Sequence, residues 1–148
     1  MISENYVSVE TASLLKKKGF DCEDVSCVNF YKGHIYVLVE KESIVAVEDL
    51  RIPTLQMALK WIREVHNVVI AVDYIYECTD KSYCYKIYKL GENGKPERVP
   101  IEGVRYDTLG EPHVETVGYR DYRLSFFSYK TYEEACEAGI QDCLENLI

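Results

Sequence analysis

The stretch Ile52-Pro-Thr-Leu-Gln-Met-Ala-Leu-Lys-Trp-Ile-Arg-Glu-Val-His66 decides how this chain folds. Leu55, Ala58, Leu59, Ile62 and Val65 recur at the three- and four-residue spacing that puts apolar side chains on one stripe of an α-helix. Gln56, Lys60 and Arg63 fall on the other side. Pro53 suits a first turn, where its missing N–H is no loss, and Thr54 either caps the helix or sits just inside it. Asn67 suits the left-handed position after the last turn, and His66 lies where a positive charge meets the helix dipole favourably. Met57 and Trp61 form a second, flanking stripe, so the helix is expected to meet apolar neighbours on more than one side.

The flanks read as strands. Val68 to Glu77 is β-branched and aromatic, with Val68, Ile70, Val72, Tyr74 and Tyr76 on one face. Tyr83 to Leu90 follows after a short connection, and Asn93-Gly94 is a hairpin turn signal. Arg98 to Glu102 reads as an edge strand, given Pro96 and Pro100. Upstream, Asn29 to Tyr31 and His34 to Glu40 make a hairpin around Lys32-Gly33, Ser43 to Val47 is a weaker strand, and Glu48 to Ile52 leads into the helix. Residues 103–118, with Gly110, Pro112 and Gly118, read as a long loop or a loop holding one short strand. Tyr122 to Phe127 is the last strand.

Two further helices frame the chain. Ser8 caps the first, which runs to Lys18. Gly19 ends it, and Phe20 folds back on its last turn. Thr131 and Glu134 form a capping box for the last helix, whose apolar stripe is Cys136, Ile140, Cys143, Leu144 and Leu147. The 148 residues suit a single α+β domain: an antiparallel, hairpin-built sheet with about three helices packed on one face.

Composition narrows the function. A net charge of −8 argues against a broad nucleic-acid surface; the basic run Lys16-Lys17-Lys18 falls in a helix's last turn, where cations suit the dipole. No stretch approaches about 20 apolar residues and the N-terminus lacks a leader pattern, so the expected setting is cytoplasmic and off the membrane. Cys22 and Cys27, with Cys78 and Cys84, are spaced more widely than structural zinc ligands, so no metal is expected, nor any cofactor. Cys136 and Cys143 read as buried apolar residues. His113-Val-Glu115 resembles half of a zinc deaminase signature whose cysteine half is absent, and phosphate-binding glycine loops are absent too. Thirteen tyrosines stand out. Tyr74, Tyr76, Tyr83, Tyr85 and Tyr88 fall on consecutive strands and form the candidate protein-binding surface, unless they cover the sheet under the helices.

Three stretches, Tyr6 to Phe20, Pro53 to His66 and Tyr132 to Ile148, each coinciding with a helix, together resemble a family of small phage and prophage proteins of gut anaerobes. That family carries no assigned activity, cofactor or catalytic residue. The resemblance therefore implies a mobile-element origin and a host-cytoplasm setting. The functional expectation is a non-catalytic accessory protein that binds a protein partner or itself. The alternatives are an acidic mimic of nucleic acid that occupies a host factor's groove, and a small enzyme with a Cys/His site.

Overall fold

The organising stretch forms helix α2 (Leu55–His66), capped by Thr54, whose hydroxyl accepts the Met57 N–H at 3.2 Å. Thr54, not Pro53, sets the start. Pro53 stays outside the helix, and its carbonyl accepts the N–H of Val7. Asn67 closes the helix at φ 55°, in the left-handed region that Asn tolerates. Leu55, Ala58 and Ile62 are buried, and Leu59 and Trp61 pack against the same core. Val65, expected on the stripe, is 57 % exposed. It lies in the last turn of α2, one residue before the helix ends at His66.

The computed structural model describes residues 5–21, 28–31, 34–37, 50–76 and 82–148, with the backbone alone at 28–31, 34–37, 50 and 51. Among these lie three helices and antiparallel sheets, an α+β arrangement. Helix α1 (Val9–Lys17) is capped by Ser8 and ends in a Schellman motif: Phe20 N–H bonds Leu15 O, and Gly19 N–H bonds Lys16 O, with Gly19 at φ 95°. Phe20 then meets Trp61 edge-on at 5.4 Å between ring centres, tying α1 to the flanking stripe of α2.

The expected single sheet is divided. Strands β1 (Val28–Tyr31) and β2 (His34–Val37) form the first hairpin, and β3 (Leu50–Ile52) pairs with β1 where only a lead-in to α2 was expected. The expected strand at 43–47 lies outside the described residues. Strands β4 (Val68–Tyr74) and β5 (Tyr83–Lys89) pair antiparallel, with Ile70 opposite Ile87 and Val72 opposite Tyr85. Residues 99–120, read as an edge strand followed by a long loop or a loop holding one short strand, instead form two long strands, β6 (Val99–Tyr106) and β7 (Pro112–Arg120), that among the described residues pair only with each other. The last strand, expected from Tyr122 to Phe127, is reduced to β8 (Arg123–Leu124) beside β5.

Helix α3 (Tyr132–Asn146) closes the core. Thr131 caps it by accepting the Glu134 N–H at 3.1 Å. Cys136, Ile140, Cys143 and Leu144 are fully buried against α1, α2 and the Val68–Ile70–Tyr85–Ile87 face of the β4–β5 sheet, while Leu147 is half-buried. Burying each large side chain contributes roughly 1.5–3 kcal/mol as an upper estimate. Gly139 permits the close approach: a Cβ there would stand 2.9 Å from Ile70 Cγ2 and 3.1 Å from Tyr85 Cγ. Helices α2 and α3 share that face, whereas α1 packs on α3 and β3. The Glu137 carboxylate of α3 fastens α1 by accepting the Ser8 N–H at 2.8 Å and the Thr11 hydroxyl. Gln141 donates to the same hydroxyl at 2.9 Å.

Candidate functional site

Two neighbouring features stand apart from this core: the β6–β7 arm and a cleft at its base. The arm turns through Asp107-Thr-Leu-Gly110. The Asp107 carboxylate accepts the N–H groups of Leu109 and Glu111, both at 2.9 Å, and Gly110 takes the positive φ, 78°, that this three-residue loop needs. His113 Nε2 lies 2.9 Å from the other Asp107 oxygen. Its bond holds the Asp107 carboxyl below the usual carboxylate range, with backbone donors adding to the effect. Glu102, Val104 and Tyr106 on β6 face Thr116, Val114 and Pro112 on β7. Directly opposed residues of an antiparallel pair share a face, so Val104, Tyr106 and Val114 form one apolar surface. All three are exposed, and Leu109 at the tip is 85 % exposed.

The cleft lies where the arm joins the body. Its volume is about 490 Å³, and Val99, Pro100, Arg120, Arg123, Phe126 and Phe127 are among its lining residues. The two phenylalanines are there because the chain is pinned on both sides of them. Ser125 N–H bonds Tyr85 O at 2.9 Å, and Tyr129 exchanges both backbone bonds with Tyr83. Two residues of β5 thus face a longer segment of the opposite chain, which must loop outward. Phe126 is left 91 % exposed and Phe127 66 %.

Asp142 on α3 organises the cleft floor. It accepts from Tyr85 Oη at 2.8 Å, Arg123 Nε at 2.9 Å and Asn146 Nδ2 at 2.8 Å. Burial works to raise its pKa, but the bonds from Arg123, Tyr85 and Asn146 outweigh it and hold the carboxyl below its ordinary range. Burial, and then the bond to Asp142, push the Tyr85 phenol upward. The group is thus a neutral phenol, a carboxylate and a guanidinium, each with its charge fixed near neutrality. It fastens α3 to β5 and β8. Arg120 is likewise anchored through Nε, which donates to Tyr122 O at 3.0 Å, and its guanidinium lies over the Tyr122 ring. Both arginines line the cleft and are fixed there through Nε.

A second, shallower cleft of about 360 Å³ is lined by Tyr6, Leu55, Glu133, Glu134 and Glu137. Neither described cleft is lined by a thiol or an imidazole, the convergence that a Cys/His site requires. Burial pushes the Cys136 and Cys143 thiols up to about 12, so neither is a nucleophile near neutrality. Cys22, Cys27 and Cys78 lie outside the described residues, and Cys84 is half-buried.

The tyrosines singled out from the sequence are not one patch. Tyr85 is 5 % exposed and belongs to the core, as the covering alternative required. Tyr74 and Tyr83 meet at 5.4 Å, and Tyr83 also meets Tyr132. Tyr88 points to the opposite face, against Tyr122, on the side where Lys86 pairs with Asp73. Tyr76 is exposed. Sequence reasoning passed over the arm and the Phe126–Phe127 bulge. The available signal was Asp107-x-x-Gly110 between two runs rich in Val and Tyr.

No family model matches the chain, and no curated protein or solved structure shows significant similarity to it.

Proposed function

We propose that this chain is a non-catalytic accessory protein that works by binding a protein, through the β6–β7 arm and the adjoining Phe126–Phe127 bulge. The observation that carries this reading is the uncovered face of the arm, where Val104, Tyr106 and Val114 lie exposed beside Glu102 and Thr116. A two-stranded hairpin has too little core to be stable alone in water, and contiguous exposed apolar surface on a folded protein marks an interaction site. A phage or prophage setting is supported by the resemblance of the three helical stretches.

The test is a double variant, Tyr106→Ala with Leu109→Ala, which removes apolar surface without touching the body. Wild-type protein used for affinity capture from a bacterial lysate, and weighed by light scattering, is expected to hold a protein partner or a copy of itself. The double variant should keep its melting temperature and lose that association at least about tenfold. A wild-type chain that is strictly monomeric and captures nothing would overturn the reading.

A further inference from the structure

We infer that the arm's partner is the arm of a second copy of this chain, lying antiparallel to it, so that each tip sits at the other's basal cleft. This rests on the reading of the arm as a protein-binding surface and names what binds there.

Three observations point to it. The first is area. Val104, Tyr106, Leu109, Val114, Phe126 and Phe127 are each at least 60 % exposed. On typical side-chain areas they offer roughly 700 Å² per copy, near the roughly 800 Å² per partner of a stable interface. Neither the arm face nor the bulge comes near that alone; an arrangement that covers both approaches it. The second is placement. The apolar tip and the aromatic base lie at opposite ends of one hairpin, separated by its own length of roughly 25 Å at 3.3 Å per residue. Two identical hairpins laid antiparallel across a two-fold axis near Gly103 and Val104 bring tip to base at both ends at once, as a closed isologous interface demands.

The third is charge, which selects the direction. A parallel alignment would set Asp107 and Glu111 of one tip against the same carboxylates of the other. The antiparallel alignment moves Glu111, which is exposed and has no side-chain partner among the described residues, toward the guanidinium groups of Arg120 and Arg123, which are anchored through Nε at the cleft. Asp142 and Glu145 also line the cleft, so its positive excess is small. Apolar contact therefore supplies most of the attraction, and charge sets the orientation.

The contact is face to face, not a continuation of the sheet. Pro100 has no N–H to offer along the β6 edge. On β7, Val117 is an extra residue between the partners of Ile101 and Glu102, and such a bulge disrupts edge pairing.

Sedimentation velocity of the full chain across a concentration series tests the assignment, with a cooperative melt confirming the fold of each variant. The wild type is expected to approach twice the chain mass. Glu111→Arg alters only an exposed side chain and should weaken dimerisation about tenfold. Leu109→Asp should weaken it further. Arg120→Glu should weaken the dimer about as much as Glu111→Arg does, and combining the two should restore association. If Arg120→Glu does not fold, Glu111→Arg and Leu109→Asp alone decide the matter. A dimer indifferent to both of those overturns the assignment. So does a wild type monomeric at every concentration. If that monomer still captures another protein through Tyr106 and Leu109, the binding reading stands and the partner is not a second copy. If capture ignores those residues, both fail.

Discussion

The β4–β5 pair and the β6–β7 arm are built from the same unit, two antiparallel strands of similar length, and they end in opposite states. Helices α2 and α3 cover one face of β4–β5, and Ile87 and Tyr85 disappear into the core. Nothing among the described residues covers the arm, although Val104 and Val114 are as apolar as Val68 and Val72. Strand pairing sets which residues share a face. Whether that face stabilises the fold or stays available for binding depends on what lies over it.

The sharpest way to break this contrast is one charge placed in each region. Ile62→Asp puts a carboxylate where the native side chain is fully buried. The cost exceeds the roughly 5–15 kcal/mol that holds a domain of this size together, so the variant should be unfolded or insoluble. Val104→Asp, 60 % exposed before substitution, should shift stability by no more than about 0.5 kcal/mol. Circular dichroism melts of the two proteins decide the point. A folded, cooperatively melting Ile62→Asp protein would mean that the core is misplaced.

The same contrast explains what could be read from residues alone. Helix α2 was legible because five apolar positions, a capping threonine and a left-handed Asn all agreed. Helix α3 was legible through Thr131 and its stripe of Cys136, Ile140 and Cys143. These signals are local and are rewarded by burial at the same place. The arm was not legible because its apolar residues are rewarded by no burial within the described chain, and Gly103, Gly110, Pro112 and Gly118 read as breakers. In the structure Gly110 serves the turn, Pro112 opens β7, and Gly118 flanks the bulge at Val117. Tyr122 to Phe127 reads from the sequence as one continuous strand, of which only Arg123–Leu124 pairs. The outward loop of Phe126 and Phe127 follows from two pinning contacts that no local pattern announces. Strand alternation puts Tyr85 and Tyr88, three residues apart, on opposite faces, but it does not say which of the two faces the helices cover.

A gentler probe compares the carboxylates Asp142 and Asp107. Asp142 has a folded-state pKa below its ordinary value near 3.8, so the unfolded chain binds the proton first as pH falls. Its contribution to stability is complete above the unfolded value and is lost as pH drops through the folded one. Asp142→Asn should cost about 1–2 kcal/mol at neutral pH, the partly exposed Arg123 limiting the loss, and should flatten the acid limb below pH about 4. Asp107→Asn, made at the arm's tip, should leave the global urea curve unchanged at either pH. Urea titrations at neutral pH and near pH 3 test both. Equal losses at the two sites would show that the arm folds and unfolds with the body.

The finest comparison uses two crowded glycines. At Gly139 an added Cβ would meet Ile70 Cγ2 at 2.9 Å and Tyr85 Cγ at 3.1 Å. Tyr85 is buried and held by Asp142, so relief has to come from α3 moving off the sheet. Overpacking of this kind costs about 1–3 kcal/mol, and the better helix propensity of Ala returns at most about 1. Gly139→Ala should therefore destabilise by about 1–2 kcal/mol. At Gly103 the added Cβ would lie only 2.7 Å from Val117 Cγ1, a closer contact. Val117 is exposed, however, and can leave its rotamer for about 0.5–1.5 kcal/mol, offset by the gain from replacing a strand glycine. Gly103→Ala should come out within about 1 kcal/mol of wild type, below Gly139→Ala despite the shorter distance. If the order were reversed in denaturant midpoints, Val117 would have to be held in place by something, and a partner pressed against the arm is the simplest thing that holds it.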